Sequence, residues 1–160
     1  MLKIGIIGAG QIGSRHLQAI SRLEFPVSIT LMDPSTESLN TCIQRLKEFD
    51  GKNADLELKT CANISGIDKN MDIIIIATSS DVRATLLKEV LTQFNVRFII
   101  LEKILFNRLD DYYITKELID ARKVPVWVNC FMRATEAFNT FKKEIGKTND
   151  LEIIVDGSNW

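Results

Sequence analysis

The sequence predicts an α/β fold, a doubly wound, mostly parallel Rossmann-type sheet with helices on both faces. Apolar runs of strand length alternate with stretches of helical period along the chain, as parallel strands joined by crossover helices require. Two runs, Met71-Asp72-Ile73-Ile74-Ile75-Ile76-Ala77 and Phe98-Ile99-Ile100-Leu101, have the apolar continuity of central strands buried on both faces. The third observation is a glycine turn that leaves the first run directly, Gly8-Ala9-Gly10-Gln11-Ile12-Gly13.

In chain order, strands are expected at about 2–7, 27–33, 55–60, 71–77, 96–101 and 125–130. Between them, Leu39, Ile43, Leu46 and Phe49 fall on one helical stripe, and Val82, Leu86, Val90 and Phe94 on a second. Tyr113-Ile114 with Leu118 suggests a third helix, and Ala134, Phe138, Phe141 and Ile145 a fourth. These apolar and aromatic positions are expected to pack in the core. After the turn at Gly146-Lys147-Thr148-Asn149-Asp150, Leu151-Glu152-Ile153-Ile154-Val155 begins a further strand, which suggests that the chain is a fragment of a longer one.

The glycines are spaced G-x-G-x-x-G between a strand and a helix, and Asp33 closes the next apolar run 20 residues after Gly13. That layout binds dinucleotides for physical reasons. Gly8 permits the tight turn, Gly10 lets the backbone approach a pyrophosphate, and Gly13 lets the helix pack close to the sheet. Gln11 and Ile12 complete the helix start, where free N–H groups and the positive dipole end favour an anion. Asp33 can accept hydrogen bonds from the adenosine ribose hydroxyls. It would repel a 2′-phosphate, and Pro34-Ser35-Thr36 offers no arginine to neutralise one, so NAD is expected over NADP. In such a sheet the ligand sits at the carboxyl ends of the strands, where the chain order reverses. Gly8, Asp33, Thr78 and Glu102-Lys103 should therefore share one edge.

Composition narrows the partners. The chain has 160 residues, 46% hydrophobic and 26% charged, with a net charge of −1. This charge gives no bulk basic field for nucleic acid, and a small-molecule substrate is expected instead. Cys42, Cys61 and Cys130 are far apart, with His16 the sole histidine. Neither a metal site nor a disulfide framework is suggested, and the cysteines read as thiols of a reducing cytoplasm. No apolar run reaches the roughly 18 residues that span a bilayer, so no membrane role is expected.

Gly8 to His16 spells G-x-G-x-x-G-x-x-H. Ala77-Thr78-Ser79-Ser80 ends the fourth strand, Glu102-Lys103 the fifth, and Val128-Asn129 with Arg133 leads on from the sixth. Together these resemble the N-terminal domain of the Gfo/Idh/MocA superfamily, the relatives of glucose-fructose oxidoreductase and inositol 2-dehydrogenase. The resemblance covers the whole chain but about half of a typical member. It implies an NAD(P)-dependent oxidoreductase acting on a secondary alcohol of a sugar, cyclitol or related molecule. It also implies residues 1–150 as the dinucleotide-binding domain and 151–160 as the opening of a substrate domain that would supply a further acid/base group and commonly a homo-oligomer interface. This fragment alone should then be inactive.

By the same resemblance Lys103 lies at the catalytic site, where a cation near a developing alkoxide stabilises it. Glu102 orients Lys103 or bonds the cofactor ribose, and Thr78 and Ser79 line the dinucleotide. His16 reads as a packing and hydrogen-bonding residue, and Asn129 and Arg133 as candidates for the nicotinamide or substrate end. Ile104 stands where the family usually has proline, and the Lys103–Ile104 bond is expected to be trans because a non-proline cis peptide costs roughly 2.5–4 kcal/mol. A stand-alone NAD-sensing regulatory domain is the alternative function, and a methyltransferase a third; Glu102-Lys103 argues against both.

Overall fold

The computed structural model describes residues 1–50 and 55–145. It divides into two compact units, Met1–Asn129 and Cys130–Trp160. The first contains β1 (Leu2–Ile7), α1 (Gln11–Ile20), β2 (Val27–Met32), α2 (Thr36–Lys47), β3 (Leu56–Cys61), β4 (Asn70–Ile76), α3 (Ser80–Gln93), β5 (Asn95–Glu102), α4 (Leu109–Arg122) and β6 (Val126–Asn129). A short 3-10 turn, Ile64–Gly66, precedes β4.

All six strands are parallel, in the order β3-β2-β1-β4-β5-β6. The sequence-derived strand positions agree with these spans to within a residue or two. The order reverses between β1, which pairs Ile4 to Ile7 with Ile73 to Ile76, and its neighbours β2 and β4. Every carboxyl end lies on one edge, and β1 and β4 flank the crevice opened by the reversal.

Apolar continuity in β4 serves two cores. Ile74 and Ile76 belong to the cluster that includes Leu87, Leu91 and Phe94 of α3, while Ile75 between them joins the cluster of Leu17, Leu39, Cys42 and Leu46 from α1 and α2. Successive side chains point to opposite faces, so both faces need apolar cover. Each fully buried Ile or Leu contributes roughly 1.5–3 kcal/mol of transfer free energy.

The helical stripes differ from expectation in phase. In α2, Leu39, Cys42 and Leu46 are buried, with Ile43 and Phe49 at the margin. In α3 the buried face is Arg83, Ala84, Leu87, Val90 and Leu91, followed by Phe94, while Val82 is 44% exposed. Val82 instead lines an apolar groove with Met32 and Pro34. On α4, Tyr113 and Ile114 are exposed, and the helix meets the core through Leu118 and Ile119. Two aspartates and two tyrosines open that helix, so its first turns face outward around a groove bordered by Tyr112, Tyr113 and Lys116.

In the second unit the described residues form a 3-10 turn, Phe131–Ala134, and α5 (Glu136–Ile145). Phe138 and Ile145 are half-buried, whereas Ala134 and Phe141 are exposed, contrary to the core packing expected of them. A single turn and helix supply no second layer among the described residues. The strand expected at 151–155 and the turn before it lie outside the described residues. No helix among the described residues is long and apolar enough to cross a membrane.

Candidate nucleotide-binding site

Each glycine of the first turn meets a different physical requirement. Gly8 has φ +102°, and a Cβ there would lie 3.0 Å from the Ala77 carbonyl carbon and oxygen. It is pinned in place because its N–H donates to the Met32 carbonyl at 2.8 Å. At Gly13 a Cβ would lie 1.9 Å from the Gly8 carbonyl oxygen, so α1 abuts the turn with no room for a side chain. At Gly10 a Cβ would meet nothing within 4 Å. The space beside the backbone at the start of α1 is open, and the first-turn N–H groups there have no partner within the helix. These residues fit a dinucleotide pyrophosphate.

Asp33, at the end of β2, accepts a hydrogen bond from the Ala9 N–H at 2.7 Å through Oδ2 and one from the Ser35 N–H at 2.8 Å through Oδ1. Both oxygens retain acceptor capacity, and the two backbone donors fix the carboxylate beside the glycine turn. Ser35 in turn caps α2, its hydroxyl accepting from the Ser38 N–H at 3.1 Å. Next to Asp33, an apolar groove of about 500 Å³ is lined by Met32, Pro34, Ile64, Val82 and Leu86.

On the other side of the crevice, Gln11, Ile12, Thr78, Ser79, Glu102 and Lys103 line one cleft of about 380 Å³. Glu102 is 7% exposed. Its Oε1 accepts from Asn129 Nδ2 at 2.7 Å and lies 2.7 Å from His16 Nε2. A carboxylate can only accept, so Nε2 carries the imidazole proton in this contact. Residues 16, 102 and 129, on α1, β5 and β6, thus meet at one carboxyl oxygen. Arg133 lies in the second unit, in its 3-10 turn, and is exposed.

Lys103 is exposed, and its ammonium has no hydrogen-bond or ion-pair partner among the described residues. The Lys103–Ile104 peptide is cis, correcting the trans expectation. That expectation rested on the intrinsic preference of an amide, whereas the carbonyls on either side of this bond are engaged by a buried arginine from α3. Arg83 Nη1 donates to the carbonyls of Glu102 at 2.6 Å, Leu105 at 3.1 Å and Ile104, and Nη2 donates to that of Thr78. Burial pulls its guanidinium below its ordinary pKa, opposed chiefly by the charges of Glu102 and Asp81; it remains a cation at neutral pH. Burial pushes the thiols of Cys42 and Cys61 up, so neither is an ionised nucleophile at neutral pH.

Two features escaped the sequence reading. Arg83 interrupts an otherwise apolar face with Leu87 and Val90 one and two turns later, and a charge on a buried stripe was the available signal. The apolar groove brings together residues from β2, α3 and the turn before β4, which no local pattern connects.

A parallel sheet with a glycine turn and a strand-end acid beside its reversal point defines a dinucleotide-binding α/β protein. The chain belongs to the GFO/IDH/MocA oxidoreductase family with an NAD-binding Rossmann fold, whose model matches residues 2–130. Comparison with curated proteins gives no significant match. Among solved structures, it is similar to the WlbA dehydrogenase from Chromobacterium violaceum in complex with NADH and UDP-GlcNAcA (TM-score 0.74, 17% identity, 91% of this chain and 40% of the other). The WlbA dehydrogenase from Bordetella pertussis gives a TM-score of 0.72 at 20% identity, with the same 91% and 40% coverage. Apo scyllo-inositol dehydrogenase from Lactobacillus casei gives 0.71 at 15% identity, covering 92% of this chain and 41% of the other. The chain therefore spans about 40% of the length of these structures, and at such identities the likeness shows the fold.

Proposed function

We propose that this chain is the nucleotide-binding half of an NAD-dependent oxidoreductase acting on a secondary alcohol of a sugar, cyclitol or related molecule. The observation that carries this reading is the convergence of Gln11-Ile12 at the start of α1, Thr78-Ser79 and Glu102-Lys103 on one cleft at the carboxyl edge of the sheet. The α1 N-terminus holds the diphosphate, Asp33 the adenosine ribose, and the apolar groove beside it the flat base. Glu102, steadied by His16 and Asn129, bonds the second ribose or orients Lys103. The nicotinamide, when bound, supplies the hydride acceptor or donor. Lys103 handles the hydroxyl proton and stabilises the developing alkoxide. Solved relatives bound to UDP-GlcNAcA or named for inositol support the substrate class, and their greater length supports placing the substrate domain from about residue 151 onward.

Two measurements test the reading. NADH fluorescence titration of the 160-residue chain should give saturable binding. The full-length enzyme should reduce NAD⁺ with at least one member of a panel of inositols, sugars and nucleotide-linked uronic acids. A folded chain that fails to bind NADH at millimolar concentration sinks the nucleotide assignment, whereas binding without turnover on any alcohol sinks the substrate class.

A further inference from the structure

We infer that Arg83 is the positioning residue of Lys103, and that it works by tying the exit of β4 to the turn after β5. The inference rests on the proposed placement of Lys103 beside the nicotinamide. Nothing holds the Lys103 side chain itself among the described residues, so the aim of its ammonium is set by its backbone. That backbone is gripped from both sides. One nitrogen of the Arg83 guanidinium donates to the carbonyl of Glu102 immediately before Lys103 and to those of Ile104 and Leu105 immediately after it. The other nitrogen donates to the carbonyl of Thr78 on the facing wall of the cleft. Arg83 is 2% exposed, and it starts from the first turn of a helix packed on the sheet.

The chemistry of the side chain suits this task. A guanidinium presents five donors in a rigid planar fork, while a lysine ammonium is a point charge on a flexible stem. Four carbonyl oxygens on two chain segments can be collected at fixed spacing by the former and not by the latter. Among the described residues the charge is not used in an ion pair: the nearby Glu102 carboxylate oxygen Oε1 is occupied by His16 and Asn129, and Arg83 contacts the Glu102 main chain instead. A buried cation spent on backbone carbonyls fixes geometry. Misplacing a reacting group by about 1 Å can cost roughly 10²-fold in rate, so an otherwise unheld lysine needs such a brace.

The test needs no substrate. Reductive methylation with ¹³C-formaldehyde labels the lysines of the chain, and Lys103→Met identifies the Lys103 resonance by its loss. Saturating NAD⁺ should shift that resonance in the unsubstituted protein. In Arg83→Met, and separately in Arg83→Lys, the shift at saturation should fall by about half or more because the fork geometry is lost, with folding checked by circular dichroism. The lysine variant keeps the buried charge and serves if the methionine variant fails to fold. A Lys103 shift of full size in a folded variant overturns the inference and leaves the placement of Lys103 standing. No shift in the unsubstituted protein saturated with NAD⁺ overturns that placement and the inference with it.

Discussion

Alanine at Gly10 and alanine at Gly13 should separate ligand binding from folding. A Cβ at Gly13 would stand 1.9 Å from the Gly8 carbonyl oxygen, where ordinary contact begins near 3.4 Å. The start of α1 and the turn must therefore move apart by about 1.5 Å, and both are backbone, so no flexible side chain can yield. Overpacking of this kind costs about 1–3 kcal/mol, which lowers the melting temperature by roughly 2–12 °C in a domain of this size. Cofactor affinity should fall as well, because the helix N-terminus has moved. Gly10 has φ −67° and ψ −164°, a conformation open to alanine, and its Cβ meets no protein atom within 4 Å. Gly10 is the N-cap of α1, where alanine is less favourable than glycine, so Gly10→Ala should cost no more than about 0.5–1 kcal/mol. Yet its methyl enters the space left for the pyrophosphate, and NADH affinity should drop about tenfold or more, equivalent to about 1.4 kcal/mol. Thermal denaturation and NADH fluorescence read the two effects independently. If Gly10→Ala binds NADH like the parent, or if both variants melt together, the division of labour between these glycines is wrong.

NAD(H) should bind more tightly than NADP(H), and Asp33→Ala should weaken NAD(H) and narrow the gap; equal or tighter NADP(H) binding by the parent in parallel titrations would contradict this. The 160-residue chain should show no appreciable NAD-linked turnover, and robust oxidation of any sugar or cyclitol by it would refute the division into two functional halves. In the full-length enzyme, Lys103→Met should lower turnover by roughly 10²-fold or more while changing the NAD(H) dissociation constant little, as steady-state kinetics and titration will report. Asp72 accepts hydrogen bonds from the Lys3 N–H and the Arg97 guanidinium, and these hold its carboxyl below the ordinary value. Its stabilising contribution is present above its unfolded pKa of about 3.9 and is lost as pH falls through the lower folded value. Asp72→Asn should flatten the stability curve below about pH 4 in denaturant titrations, and an unchanged acid limb would refute the assignment.

The central strands were legible because β1, β4 and β5 are covered on both faces, and such cover demands apolar continuity that a linear reading can see. The glycine turn was equally visible, since its requirements are local: a positive φ at Gly8 and a lost Cβ at Gly13 are written into residue type. Helix faces were harder. On α3 the buried stripe includes Arg83, so a reading by hydrophobicity slid one residue to Val82 and Leu86. The Lys103–Ile104 geometry was hidden for a related reason: intrinsic amide preference argues for trans, and the side chain that gathers the flanking carbonyls comes from about 20 residues upstream. Likewise the meeting of His16 with Glu102 depends on sheet order, because 86 residues separate them in the chain.

That meeting limits how this fold can be recombined. His16 belongs to the first βαβ segment, while Glu102 and Asn129 belong to the segment beyond the order reversal, and one oxygen atom serves both donors. The two halves of the sheet are thus not interchangeable modules, and each of the two apolar cores likewise draws strand residues from both halves. A chimera that takes residues 1–50 from a relative would graft two sound strands and two helices, but it would also import whatever stands at position 16 against a carboxylate built for an imidazole N–H. Grafts across the crevice should therefore carry positions 16, 102 and 129 as one inherited set.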